Sequence, residues 1–461
     1  MQHGLRPAVR ALTATTVLAL VVVACSGDNT GGASTAPSAD TGASPAESGA
    51  PAESGSPAGS GSGFQFEQLG GEVTVLATWT DVEEENFRAM IQPWLDGTGV
   101  SLNYTGTRDL GTQITTGIAS GNLPDVAGLP GPGQMQVWYD QGALKPLDFV
   151  DYATYESSTP AGFAALGKAD DDQLVGIFTK GAVKGLIWYN TANWTGEPPA
   201  TWDELNTTAQ AALSGDTKQW CIGLESGGDS GWPGTDWIED IVLRQAGPEV
   251  YDRWVAGEQQ WSSPEIKAAF ETFADALNNA HGGSDVMVTT NFGKAANPMF
   301  ADPPGCLLHH QASFITSFFE DEANAAPDDY DFFPFPDINA SFAGGVTGGG
   351  DLFGMFNDTP QARSLIQYLL TPEAQQIWVE RGGFISANKN VPVEAYPDEI
   401  SKKSAEVLAN AQTFRFDASD LMPSEMNKAF FGAMVELAQD TSQIDSILAQ
   451  LDEVQAGAYS E

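Results

Sequence analysis

The sequence predicts an α/β protein whose folded part is long enough for two lobes. From residue 72 onward, short apolar strands alternate with amphipathic helical patterns, which is typical of lobes built on a mostly parallel sheet. The alternation begins afresh after an apolar run at 185–189. Beyond the N-terminal segment that precedes these strands and helices about 395 residues remain, and a single hydrophobic core seldom grows that large.

The first elements are predicted between residues 72 and 129. The run EVTVLA at 72–77 and the alternating apolar residues at 100–104 are typical of strands. Between them, one face of a helix carries Phe87, Met90, Ile91, Trp94 and Leu95. Asp109 can cap the next helix, and a third strand opens at 124–126. In parallel sheets ligands gather beyond the carboxyl ends of the strands, here the loops 78–83, 105–109 and 130–134.

Capping patterns predict further helices in the second half of the chain. Thr201 and Glu204 form a capping box, and Ser263 precedes a proline and an acidic first turn. Thr359 and Thr371 each precede a proline that starts a helix. We expect a strand over 306–319, and strands joined by tight glycine turns over 342–356.

The first 63 residues have the composition of an export signal followed by a tether. Arg6 and Arg10 precede fourteen uncharged residues at 11–24, and the VVAC at 22–25 resembles the bacterial lipobox. We expect a lipoprotein signal peptide at 1–24 and a lipidated Cys25. A disordered Ser/Gly/Ala/Pro tether then runs to residue 63, so the protein is held at the extracytoplasmic face of the cell membrane. The alternative is an ordinary signal peptide with a chance cysteine.

Charge and cysteine content narrow the possible partners. The formal net charge of −41 opposes binding to nucleic acid or to an anionic membrane surface. A solvated acidic surface explains this charge without a cationic ligand. Outside the cytoplasm, the remaining pair Cys221 and Cys306 predicts a disulfide. Metal ligation with His309 and His310 is the alternative, but it lacks a regular ligand spacing.

Several short segments together resemble a known family. They are TWT at 78–80, YTGTRD at 104–109, SGNLPDVA at 120–127, SGWPGTDW at 230–237, GGD at 349–351, RGGFI at 381–385 and DASDLMP at 417–423. No single segment is specific, but their order and spacing resemble the sugar-binding extracellular solute-binding proteins of ABC importers. Within that family, the likeness is to the members that bind α-glucosides.

The resemblance implies a two-lobed, type II periplasmic-binding-protein-like fold. It implies three hinge crossings, near 180–184, near 310–314 and near residue 371. Lobe one would comprise 64–182 and 312–370, and lobe two 183–311 and 371–461. It further implies a monomer without metal or cofactor, which holds a sugar in the cleft and passes it to the transmembrane subunits of a permease.

Sugars present hydroxyl rims, which carboxylate and guanidinium groups grip at two points, and apolar C–H faces, which stack on aromatic rings. The candidate ligand-binding residues are Glu83, Arg108, Asp109, Trp232, Asp236, Phe314, Gly349, Gly350, Asp351, Arg381, Asp417 and Asp420. For some of these residues a structural role is the alternative to ligand binding. Asp109 and Asp236 can cap helices, Arg108 and Arg381 can pair with a surface acid or a helix dipole, and Phe314 can be core.

Two other functions compete with sugar binding. A secreted glycosidase would use two carboxylates, but the chain lacks an eightfold strand–helix repeat and any recognised hydrolase motif. A binder of peptides or polyamines could share the same fold, because fold does not fix the ligand. Arg108 and Arg381 would oppose a polycation if both line the cleft.

Overall fold

Two β-sheets organise the folded part of the chain. In a computed structural model of the protein, residues 63–129, 131–160 and 162–460 are described. The predicted signal peptide, Cys25, the tether up to residue 62 and the loop residue Pro130 lie outside the described residues. Within those ranges the strands are β1 Glu72–Ala77, β2 Ser101–Gly106, β3 Val126–Leu129, β4 Gly176–Val183, β5 Leu186–Asn190, β6 Lys218–Cys221, β7 Cys306–Gln311, β8 Tyr330–Pro334, β9 Gly345–Met355, β10 Ile385–Ser386 and β11 Thr413–Phe416.

Helices pack against both sheets within the described ranges. They are α1 Asp81–Thr98, α2 Leu110–Ser120, α3 Met135–Asp140, α4 Tyr152–Ser158, α5 Phe163–Leu166, α6 Trp202–Ala212, α7 Trp232–Gln245, α8 Pro248–Val255, α9 Pro264–Asn278, α10 Gly283–Thr289, α11 Thr316–Ala323, α12 Pro360–Leu369, α13 Pro372–Val379, α14 Glu399–Asn410, α15 Ala418–Leu421, α16 Ser424–Gln439 and α17 Ile444–Ala458. Short 3-10 turns include Gly227–Asp229, Phe292–Lys294 and Ser313–Ile315. None of the described helices is long and apolar enough to cross a bilayer.

The larger sheet, in lobe one, has the order β10-β4-β9-β3-β1-β2, with β11 paired to the first part of β9. β1 pairs in parallel with β2 and β3, as the strand–helix alternation predicts. β9 pairs antiparallel with β3 and β4, so the sheet is mixed rather than mostly parallel. The local pattern missed this because β9 comes from a distant part of the chain.

The smaller sheet, in lobe two, has the order β6-β7-β5-β8. β6 and β7 are parallel and the other pairs antiparallel. Aromatic side chains fill the space between this sheet and α7 and α9, with the Trp220 and Trp237 ring centroids 4.7 Å apart. Lobe two therefore has its own apolar core.

Local sequence signals predicted many element boundaries correctly. The run EVTVLA is β1, and the predicted helix is α1, with Phe87, Met90, Ile91 and Trp94 fully buried. Thr201 and Glu204 make both bonds of the capping box at α6. Thr359 and Thr371 accept backbone N–H groups at the starts of α12 and α13. Such caps form locally and so can be identified from the sequence.

Two strand predictions were wrong. The predicted strand over 306–319 ends at Gln311, because the Ser313 hydroxyl accepts the Val183 amide and the chain turns into α11. The glycines at 348–350 form no tight turns but lie inside the single strand β9. A Cβ atom on Gly348 would lie 2.6 Å from the Phe414 ring, so glycine here allows neighbouring strands to approach closely.

Among the described residues the chain crosses between the lobes three times, but only the first crossing lies where the sequence placed it. It joins β4 to β5 around Lys184. The second joins β8 to β9 rather than lying at 310–314, because β8 still pairs with β5. The third lies at Asp417, between β11 and α15, since α13 packs against α1 in lobe one. The expected boundaries at 312 and 371 were therefore wrong.

The predicted disulfide is confirmed. Cys221 and Cys306 are bonded, with Cα atoms 5.5 Å apart, and both are buried. Cys221 ends β6 and Cys306 begins β7. The bond therefore closes a segment of 85 residues within lobe two.

Replacing both cysteines by serine should lower the free energy of unfolding by about 4–5 kcal/mol, because the unfolded chain regains the entropy of the opened loop. Denaturant titration of the soluble domain measures this difference. Adding reductant should destabilise the wild-type protein and leave the doubly substituted protein unchanged. Equal stability of the two oxidised proteins would contradict the prediction.

Candidate functional site

A cleft between the two lobes gathers residues from both sheets and from the crossing segments. It encloses about 1120 Å³, including its open mouth. The loop after β1 supplies Trp79, the loop after β2 supplies Arg108, and the loop after β3 supplies Gln134. The carboxyl ends of the three parallel strands thus face one space, as expected for this sheet type.

Lys180 is the centre of a charged group on the lobe-one wall. This nearly buried ammonium lies 2.9 Å from Glu83 Oε1 and 3.5 Å from Asp351 Oδ2. Arg108 donates to Glu83 Oε2 at 2.8 Å, and Trp79 Nε1 donates to Asp351 Oδ2 at 3.1 Å. Each carboxylate is therefore held in place by more than one donor.

Burial and charge act in opposite directions on these two carboxyls. Burial alone would raise the pKa of Glu83, but the Lys180 ammonium and the Arg108 guanidinium hold it below its ordinary value. Burial raises the pKa of Asp351 in spite of the attraction of Lys180, and the nearby Glu83 carboxylate adds to the rise. Glu83 is thus the ionised partner of both cations.

A second charged group surrounds Lys184 at the first crossing. Its ammonium lies 2.8 Å from Asp417 Oδ2 and 3.1 Å from Asp236 Oδ1, and both of these acids are buried. Burial opposes the charge of Lys184, yet Asp236 and Asp417 raise its pKa well above the ordinary value. The ammonium stays charged and connects lobe two to the third crossing.

Asp236, Glu239 and Asp417 have oxygen atoms within 4.8 Å of one another, the grouping that a metal ion requires. The Lys184 ammonium already contacts two of the three, and Glu239 accepts the backbone N–H groups of Ala418 and Ser419. Burial and then the Asp417 carboxylate raise the pKa of Glu239 well above its ordinary value. Because an ammonium and backbone N–H groups already contact these oxygen atoms, the three acids suit a network of ion pairs and protons rather than a further cation.

Aromatic rings form the apolar part of the cleft. Trp232 begins α7 after Gly231, whose φ of 111° requires glycine. Its half-buried ring packs edge-on against Phe292, and Lys184 Nζ lies 5.1 Å from its centroid. Phe314 is also half-buried, 6.0 Å from Trp232. Trp138 and Phe431 also line the cleft, together with aliphatic side chains such as Leu110 and Met422.

Asp229 and Asp420 line the cleft without a side-chain hydrogen bond or ion pair to any described residue. All three lining cations, by contrast, are bound to acids. Five carboxyl groups line the cleft, those of Glu83, Asp229, Asp351, Asp417 and Asp420. Acids thus outnumber cations in the lining, although burial and then the Asp417 carboxylate raise the pKa of Asp420 well above its ordinary value. The side chains of Asp229 and Asp420 remain available to a ligand.

Most of the candidate residues come together in this cleft. Those that line it are Glu83, Arg108, Trp232, Phe314, Gly350, Asp351, Asp417 and Asp420. Four do not line it. Asp236 lies behind Lys184, and Gly349 packs against the stem of the same lysine. Arg381 donates instead to Asn86, and Asp109 lies at the rim against Gly228 without capping α2 through its side chain.

Sequence reasoning missed several lining residues. Lys180 and Lys184 were predicted only as hinge positions, although two lysines at even spacing in a buried strand segment are unusual and point to one face. Trp79 could have been identified from the sequence, because it lies in a loop directly after a predicted strand. No sequence pattern pointed to Asp229, Asn427 or Phe431, because only the folding of lobe two brings their segments to the cleft.

Comparison with known proteins gives a consistent result. A family model for bacterial extracellular solute-binding proteins matches residues 80–376. The alpha-glucosides-binding periplasmic protein AglE of Rhizobium meliloti is 36% identical over 401 residues, which cover 82% of this chain and 85% of AglE. The osmoprotective compounds-binding protein GgtB of Synechocystis is 35% identical over 374 residues, 79% of this chain and 88% of GgtB.

Solved structures agree on the fold. The solute receptor AcbH, reported to prefer β-D-galactopyranose, matches with a TM-score of 0.74 at 18% identity, over 85% of this chain and 100% of AcbH. A chitin oligosaccharide binding protein matches with the same TM-score and identity, over 85% of this chain and 99% of its own. The expected two-lobed α/β fold is confirmed, and the chain belongs to the bacterial extracellular solute-binding protein family.

Proposed function

We propose that this protein captures an uncharged sugar, an α-glucoside or a short oligosaccharide, between its lobes and delivers it to an ABC permease. The observation that carries the proposal is one cleft whose lining combines the half-buried ring of Trp232 with carboxyl groups that have no side-chain partner among the described residues. Aromatic walls with a few convergent polar groups are typical of small-ligand sites. The α-glucoside assignment rests on the similarity to AglE.

The two walls have complementary roles. From lobe one, Glu83, Arg108 and Asp351 present fixed polar groups to hydroxyl rims. From lobe two, Trp232 presents a ring to a C–H face, and Asp420 at the third crossing accepts a hydroxyl. A sugar meets both sets together only when the lobes close, so it shifts the protein toward the closed form, which the permease recognises.

A catalytic role is not proposed. The family and the relatives named above are binding proteins. A glycosidase needs one carboxyl to protonate the leaving group and a second to act as a base or nucleophile. Here Glu83 is held ionised by two cations, and Asp351 is bound by Trp79 and Lys180. These ties suit recognition of hydroxyl groups and hold both carboxyls in place.

The family is extracellular, so the protein works outside the cytoplasm. We further propose that Cys25 carries a lipid anchor and that the folded part acts as a monomer. A Cys25→Ser substitution should move the protein from the membrane fraction to the soluble extracytoplasmic fraction, which cell fractionation measures. A Ser26→Ala substitution is the control and should leave the protein in the membrane fraction. Unchanged fractionation of Cys25→Ser would contradict the anchor.

The ligand class is tested by a thermal-shift panel on residues 63–461 with maltose, trehalose, sucrose, maltotriose, a dipeptide mixture and spermidine. A sugar at a hundred times its dissociation constant should stabilise the native state by about 2.7 kcal/mol, a shift of several degrees. Stabilisation by peptides or spermidine alone would leave the fold standing and contradict the sugar assignment.

Replacing Trp232 by alanine should weaken sugar binding by about 1–3 kcal/mol, because the substitution removes an aromatic surface that lobe two offers to the cleft. Isothermal titration calorimetry measures the change in Kd. Trp232→Phe should retain most of the affinity, and Phe66→Ala, an exposed aromatic outside the cleft, should retain all of it. Unchanged affinity in Trp232→Ala would remove the ring from the site.

A sugar carrying a phosphate at the 6-position should bind at least about a hundredfold more weakly than the parent sugar. Every lining cation is already bound to a carboxylate and the lining acids outnumber the cations, so a desolvated anion in the cleft is repelled by several kcal/mol. The 6-O-acetyl derivative is the uncharged control for size. Equal weakening by the two derivatives would show that space, and not charge, decides.

A further inference from the structure

The mouth of the cleft brings two acidic loops together from opposite lobes. Asp109 lies in the loop between β2 and α2 of lobe one. Asp229 ends the 3-10 turn Gly227–Asp229, between β6 and α7 of lobe two. A Cβ atom on Gly228 would lie 2.8 Å from Asp109 Oδ1, and one on Gly227 would lie 3.3 Å from Arg108 Cβ. The two loops are therefore in van der Waals contact across the mouth.

A third contact closes the same rim. The Arg108 guanidinium lies 5.0 Å from the ring centroid of Phe292, which belongs to lobe two. Arg108 also binds Glu83 within lobe one, so its guanidinium contacts both lobes. Because these residues sit on opposite lobes, all three contacts separate when the lobes open.

The contact places like charges side by side. Asp229 ends the lobe-two turn whose Gly228 touches Asp109, and the Asp109 carboxylate acts on Asp229 across the contact. The cations near Asp229 are Arg108, which is paired with Glu83, and Lys428 on α16, which is exposed. The Asp229 carboxyl is half-buried and makes no hydrogen bond with the described residues. Closure thus removes water from one carboxylate while bringing a second one near.

We propose that closing of the cleft takes up a proton where Asp109 meets the turn that ends in Asp229, so that the mouth is a latch that holds sugar more tightly in mildly acidic surroundings. The proposal rests on the proposed sugar-binding function. It gives Asp229 a role in retaining the ligand that is separate from contacting it.

The direction of the pH dependence follows from Asp229. Burial, and then the Asp109 carboxylate, raise the pKa of Asp229 to about 6, whereas Arg108 and Lys428 lower it. In the open form, solvated and apart from Asp109, we expect it to regain the ordinary value of 3.8. The closed form then binds the proton more tightly than the open form. Closure is therefore favoured as the pH falls through 6, and the effect is absent above about pH 7.

The test is calorimetry with maltose or trehalose, whichever binds at pH 7.5, in two buffers of different ionisation enthalpy. In the wild-type protein, Asp229 by itself should lower Kd about tenfold between pH 7.5 and pH 5 and should account for about half a proton taken up per sugar bound at pH 6. Asp229→Asn should take up about half a proton less. It should also bind more tightly than the wild-type protein at pH 7.5, because the repulsion is gone.

Two further variants separate the latch from other acids in the cleft. Asp109→Asn lies outside the cleft lining and should reduce the pH dependence without removing a lining group. Asp216→Asn removes an exposed acid elsewhere on lobe two and should behave as wild type. Asp351 and Asp420 are present in every variant, so the difference between Asp229→Asn and wild type isolates Asp229.

Small-angle X-ray scattering without sugar tests the latch independently of the ligand. The radius of gyration should decrease between pH 7.5 and pH 5 in the wild-type protein and change less in Asp229→Asn. Sugar binding with equal proton uptake in the two proteins would overturn the latch and leave the proposed function standing. If no sugar binds, the proposed function fails, and a pH-independent radius of gyration would then overturn the latch as well.

Discussion

The ion pair between Lys184 and Asp417 joins the first and third crossings of the chain, and the arrangement of the lobes depends on it. Both partners also make backbone hydrogen bonds to the start of β9. The Lys184 amide donates to the Thr347 carbonyl, and the Asp417 amide donates to the Gly348 carbonyl. A buried ammonium loses its hydration and is tolerated only where carboxylates replace the lost water. The three crossing segments are thus fixed at one point, from which the cleft opens.

The same junction extends into lobe two. Asp240 on α7 binds Arg244 and His310, and it accepts a hydrogen bond from the Thr347 hydroxyl. Burial alone would raise the pKa of Asp240, but Arg244 and His310 hold it below the ordinary value. His310 lies in β7, the strand that the disulfide fastens to β6. Lobe two is therefore tied to the hinge through β7 and α7, so that it can move as a unit.

The two ends of the cleft differ in how their charges are balanced. At the hinge, Lys180 and Lys184 each have two carboxylate partners. At the mouth, the Asp109 carboxylate acts on Asp229 with only shared or exposed cations nearby. The hinge end suits a permanent framework, because a buried pair is costly to break. The mouth suits a contact that forms and separates, since its groups remain within reach of water.

The sequence by itself determined the family, the local elements and most of the cleft wall. β1, α1, the capping box of α6 and the loops after β1, β2 and β3 depend on neighbouring residues, so local patterns identify them. Only the tertiary structure decided where the chain crosses between the lobes, because β9 and β11 pair with strands far away in sequence. It also decided which charges pair. Lys180 is held by Glu83, 97 residues away, and Asp109 meets Gly228 only when the lobes approach. Such contacts follow from packing between distant segments, which local residue patterns do not specify.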